Sequence, residues 1–160
     1  MRQRGPSSFL SNQESQKTGL LPYIQAAMNL HGHSPVSILS GEAIQYEELL
    51  MSFDRTGNNT NRAVLVLLQL ELFVFYQDWN AAHSLLTKAG NIRQCTIGSF
   101  QSVRFTFIES LICLKAPRPS MSLQGRRKCR RKALKSMNII KGWAKRGNVN
   151  VVRSIWHLLY

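Results

Sequence analysis

Apolar residues recur at three- and four-residue steps along most of this chain, and that period belongs to helices. In Arg126–Lys145 the residues Ala133, Leu134, Met137, Ile140 and Ala144 form one stripe of an otherwise cationic segment, although Gly142 weakens its last turn. Asn61–Tyr76 is apolar on almost every side and contains no Gly or Pro. Its valines and phenylalanines pull toward a strand, but its length favours a buried helix. Asp78 heads the segment Trp79–Ala89, which ends at Gly90, the arrangement of an N-cap and a left-handed C-terminus. Phe100–Leu114 places Phe105, Ile108, Leu111 and Ile112 together and stops at Lys115-Ala116-Pro117, because proline cannot continue a helix.

Nearer the start, Gly19–Leu30 reads as a short helix with Pro22 in its first turn, broken by His31-Gly32-His33-Ser34-Pro35. Glu42–Phe53 follows, with Glu42, Glu47 and Glu48 weighting its first half as the helix dipole favours, and with Ile44, Leu49 and Met51 as a partial apolar face. The Asn- and Thr-rich stretch 54–61 is a loop that supplies caps, and 91–99 is a second loop. An apolar helix from Val149 runs to the last residue, Tyr160. The pattern predicts an all-α fold of six or seven helices: a flexible polar tail over 1–18, then one helical domain over 19–160, truncated at its C-terminal end.

Composition changes this picture little. With 44% apolar and 18% charged residues, 160 residues suffice for one domain with a real core. No apolar core of a signal peptide opens the chain, and its most apolar run, 63–76, is interrupted by Gln69 and Glu71, so no transmembrane segment is expected. Three cysteines, Cys95, Cys113 and Cys129, without a CxxC pair read as reduced packing residues of an intracellular protein.

Charge changes it more. Of 21 Lys and Arg, thirteen fall after residue 109, and none of the eight acids does, so the net charge of +13 belongs to one segment. Arg126, Arg127, Lys128, Arg130, Arg131, Lys132 and Lys135 crowd the head of the last long helix and are the candidate anion- or partner-binding residues. The bland reading is the solvated face of an ordinary amphipathic helix, or a contact with an acidic protein. Its rivals are a nucleic-acid surface, since such residues release counterions at phosphates, an anionic membrane surface, and a calmodulin-type target helix. The same cluster resembles a nuclear-localisation signal, so the expected cytoplasmic location has a nuclear alternative.

Catalytic chemistry finds no foothold. No phosphate-binding loop, nucleophile elbow, or kinase or cyclase signature is present, and beyond Glu47-Glu48 the acids are scattered. The His31/His33 pair lacks nearby Cys, Asp or Glu and is read as a polar loop; His83 and His157 lie in apolar helices as packed or partly exposed residues. No enzyme activity, metal or cofactor is expected.

Helix pairs joined by mostly short loops suggest a repeat. The tetratricopeptide pattern sets a small residue early in its second helix, a bulky one four positions on and a small one seven positions on. Ala82, Leu86 and Ala89 match it, with Phe73 as the aromatic of the first helix and Leu70 in place of a small residue. Tyr76 and Trp79 flank the turn between the two helices and are read as packing residues, as is Trp143. The order of segments over residues 20–160, from Ser40-Gly41-Glu42 through the Phe75–Trp79 corner to the basic helix with Trp143 and Gly147-Asn148, resembles the tetratricopeptide-like helical region of large algal, diatom-type signalling proteins that carry AAA-type ATPase, kinase-like or cyclase modules. The resemblance implies stacked antiparallel helix hairpins, a solenoid fragment whose role is protein–protein interaction. A small basic nucleic-acid-binding protein using helix 126–146 is the alternative, and a truncated, nonfunctional remnant the third reading.

Overall fold

The computed structural model describes residues 7–32, 37–115, 122–147 and 151, with side chains from residue 19 onward. The described residues form seven helices and no strand: α1 Ser7–Leu30, α2 Tyr46–Thr56, α3 Asn59–Phe75, α4 Trp79–Ala89, α5 Ile92–Cys95, α6 Phe100–Lys115 and α7 Leu123–Lys145. Side-chain caps fix three starts. Asn58 accepts from Asn61 N, Asp78 accepts from Ala81 N, and Ser122 accepts from Gly125 N. Gly57 ends α2 in the left-handed region, and Gly90 ends α4 at φ 73, ψ −146, outside the expected left-handed well but equally suited to glycine.

The all-round apolarity of α3 follows from its position. It packs against α1, α2, α4, α5 and α6. Ala63, Val66, Leu67 and Leu70 join Ala82 and Leu86 of α4, Ile92 of α5, and Phe105, Ile108 and Ile112 of α6 in one cluster. Leu65, Leu68 and Leu72 face the other way, into a cluster with Ala26, Leu39, Tyr46 and Phe53. A helix covered on every flank needs no polar face. α6 is the second hub; beyond it α7 closes a third cluster of Val103, Ile140 and Val151, flanked by Trp143. Arg104 of α6 clasps Glu71 of α3 with two nitrogens, while burial pushes the Glu71 carboxyl above its ordinary range against that pull.

Several boundaries differ from expectation, each for a local reason. α1 begins at Ser7 rather than Gly19. α2 begins at Tyr46, because 37–45 is an irregular segment held by side chains instead of a helical turn. Ser40 Oγ accepts from Tyr46 N (2.9 Å), and Gln25 Oε1 accepts from Ala43 N (2.9 Å) and Ile44 N (3.4 Å). Within the expected loop 91–99, α5 forms a single turn whose Ile92 is buried. α7 starts at its Ser122 cap, ahead of Arg126. Its buried line runs Ala133, Ser136, Ile140, whereas Leu134 is 52% exposed, since one residue of rotation carries it off the α6 side. The helix expected from Val149 lies outside the described residues except for Val151, as does His33 of the histidine pair.

Among the described residues, Tyr46 is the one buried misfit. Its hydroxyl has no hydrogen-bond partner among the described residues, and burial, aided by Glu47, pushes the phenol up to about 12. Tyr46→Phe is expected to raise the unfolding free energy by about 1 kcal/mol, since it removes a desolvated group that gains nothing in return. A phenol raised in the folded state contributes stability that is complete below pH ~10 and is lost as pH climbs toward that folded value. The phenylalanine chain lacks this loss, so its advantage in urea unfolding widens through that window.

Candidate functional site

α7 carries nine Lys and Arg and no acid. Because its inner line is Ala133, Ser136 and Ile140, the helix must turn the cations outward: Arg126, Arg127, Lys128, Arg130, Arg131 and Lys135 are all exposed. Between them, Arg131, Leu134, Lys135, Ile139 and Arg146 edge an open depression of about 640 Å³. Exposed Leu134 and half-buried Ile139 give this cationic surface an apolar floor.

Lys132 departs from the group. Its Nζ lies 3.0 Å from Oε1 of Glu109, an α6 carboxylate only 2% exposed. Ser136 Oγ donates to Oε2 of the same carboxylate at 2.6 Å, and Arg93 Nη2 approaches Oε2 at 3.4 Å. The buried acid thus ties α5, α6 and α7 together, and Lys132 serves that tie instead of the outer surface. Glu109 is the lone acid of α6, amid Phe, Ile and Leu. An acid inside so apolar a helix signals a buried partner, although the sequence gives no clue which cation that is.

Beside this carboxylate opens a pocket of about 450 Å³ between α4 and α7, lined by His83, Arg93, Glu109, Cys113, Lys128 and Cys129 among others. Cys129 Sγ stands 3.4 Å from His83 Nε2, and Cys113 lines the same pocket, in the cluster on which Cys129 packs. Spacings of 18 and 16 residues between the cysteines conceal this meeting, which depends on α7 lying across α6.

The packing residues separate into groups. Ala82 and Leu86 are buried in the α3–α4–α6 cluster, with Phe73 and Ala89 packed against it, and Trp143 packs on the α6–α7 cluster. Tyr76 packs on the α1–α2–α3 cluster and donates its hydroxyl to Asn29 O at 2.9 Å. Trp79 is half-buried at the first position of α4. Phe75 is 64% exposed and meets Tyr76 edge-on, its ring centroid 5.1 Å away. Gln77, with φ 60, makes the turn between the two helices.

Among the described residues, no three His, Cys, Asp or Glu gather as a metal site, and no helix is long and apolar enough to cross a membrane. No protein family, curated protein or solved structure matches the chain.

Proposed function

We propose that this all-α chain is a non-catalytic, tetratricopeptide-like interaction module that docks an acidic protein segment on the outer face of α7. One observation carries the reading: a helix with no acid presents Arg131, Lys135 and Arg146 around exposed Leu134. Cations with an apolar floor suit a peptide that carries both carboxylates and a hydrophobic side chain. A surface for single-stranded nucleic acid calls instead for stacking rings beside its cations, and the tryptophan of α7, Trp143, packs on the cluster of Val103, Ile140 and Val151.

The solenoid part of the proposal draws support from packing between near neighbours in the chain, α2 on α3, α3 on α4, α4 on α6 and α6 on α7. Ala82 lets α4 approach α3 closely, as a small residue does in such pairs. The step from Asn59 to Phe100 exceeds the ~34-residue tetratricopeptide period, and α5 occupies the excess. On this reading the chain resembles the scaffold part of a signalling ATPase and works passively inside the cell.

The test is a titration with a glutamate-rich peptide bearing a central leucine, run beside duplex DNA at several salt concentrations. The double change Arg131→Glu with Lys135→Glu is expected to weaken peptide binding by about tenfold or more while circular dichroism stays unchanged, since both side chains are exposed. Tight DNA binding with a steep logarithmic salt slope, and none of the peptide, would replace this reading with the nucleic-acid one.

A further inference from the structure

The pocket behind α7 gathers groups that partner docking on the outer face leaves unused. Cys129 of α7 is half-buried and lines the pocket, its Sγ 3.4 Å from His83 Nε2 of α4. Cys113 of α6, 8% exposed, lines the same pocket and belongs to the apolar cluster on which Cys129 packs. Two thiols in one pocket, with an imidazole on the outer one and an opening to solvent, are the parts of a dithiol that forms a disulfide in two steps. Cys95, exposed at the end of α5, stands outside this cluster.

We propose that Cys113 and Cys129 form a peroxide-reactive dithiol that closes to a disulfide between α6 and α7, with Cys129 oxidised first and His83 as its proton acceptor. In the first step Cys129 gives its proton to Nε2 of the neutral ring, and its sulfur attacks one peroxide oxygen. The O–O bond breaks, the leaving hydroxide or alkoxide takes the proton from the ring, and Cys129 becomes a sulfenic acid. In the second step the Cys113 sulfur attacks the Cys129 sulfur, the S–O bond breaks, and the departing hydroxide leaves as water with the Cys113 proton. Two thiols and one hydroperoxide give one disulfide, one alcohol or water, and one further water. Two electrons pass from sulfur to oxygen.

The order of attack follows from burial. Burial pushes the Cys113 thiol up to about 12, with Cys129 adding to the effect, so Cys113 stays protonated until a sulfenic acid forms beside it. The charged groups facing the pair are Arg93 from α5, Glu109 from α6, and Lys128, Lys132 and Lys135 from α7. Glu109 is already engaged by Arg93, Lys132 and Ser136, which leaves His83 as the proton acceptor in contact with Cys129.

The experiment uses the full chain with Cys95→Ser, treated with equimolar hydrogen peroxide under native conditions. The intact mass is expected to fall by about 2 Da, and peptide mapping to join Cys113 to Cys129 in a link that dithiothreitol reverses. His83→Gln is expected to slow closure by about tenfold or more at neutral pH, and the difference to vanish toward pH ~10, where hydroxide takes the proton unaided. A purely structural histidine would slow closure equally at both. The proposal fails if both thiols remain open to alkylation after peroxide in a folded chain. It fails equally if Cys129 advances to sulfinic acid with Cys113 still free.

Discussion

Gln69→Met is expected to lower the unfolding free energy by about 3 kcal/mol, through a buried backbone donor and a half-buried acceptor that lose their partner. Gln69 projects from the middle of α3, 2% exposed, and its amide spans the irregular segment before α2. Oε1 accepts from Leu39 N at 2.7 Å, and Nε2 donates to Ser37 O at 2.7 Å. Leu39 has no exposure at all, so its N–H cannot turn to water while the segment keeps its place. Methionine matches glutamine in length and in helix propensity, so cavity formation and helix weakening add little. What remains is the cost of stranding a donor and an acceptor, each on the order of 1–3 kcal/mol. Urea unfolding measures the loss. Hydrogen exchange at Leu39 shows whether the segment opens locally first, as a shallow, side-chain-held region should. A loss below about 1 kcal/mol, with Leu39 still protected, would mean that the clamp is replaceable and that the fold rests on its apolar clusters alone.

That clamp also marks the limit of what the pattern of residues gives away. Trp79–Ala89 was readable to the residue because Asp78 and Gly90 are strong local signals at both ends. α3 was readable as a buried helix because its apolarity has no period to contradict it. The start of α2 was not. Glu42 and the acids after it make a plausible first turn, but Gln25, eighteen residues or more upstream, takes the amides of Ala43 and Ile44 in another conformation. A contact between distant amides leaves no trace in local propensity. The same holds on α7. Leu134 belongs to the apolar stripe by spacing, yet Ser136 takes the buried line because a carboxylate on α6 waits for its hydroxyl. The cationic head was plain from composition. That Lys132 reaches inward, Arg131 stays on the outer face and Lys135 stands at the edge of both pockets depends on where α6 lies, and so does the meeting of Cys113, Cys129 and His83.

Lys132 therefore carries the second large expectation, one that separates it from its cationic neighbours. Lys132→Met is expected to cost about 2 kcal/mol of stability, while Arg131→Met and Lys135→Met each stay within about 0.5 kcal/mol of the parent chain. The difference lies in what each removal leaves behind. Arg131 and Lys135 are exposed, and water replaces whatever they touch. Lys132 holds Oε1 of a carboxylate whose side chain is only 3% exposed, and its loss leaves that charge to Ser136 and to a longer contact with Arg93. The estimate sits below the usual range for a broken buried pair because the lysine side chain is itself 40% exposed and screened by water. A double-mutant cycle isolates the pair. Combined with Glu109→Gln, which keeps an acceptor for Ser136 but removes the charge, Lys132→Met should cost less than the two single changes added together, by about 1 kcal/mol or more. Strict additivity would show that Glu109 is stabilised without Lys132. The lysine would then rejoin the outer surface as one more cation for an acidic partner, and its removal would weaken peptide binding as Arg131 and Lys135 are expected to do, instead of leaving that binding intact.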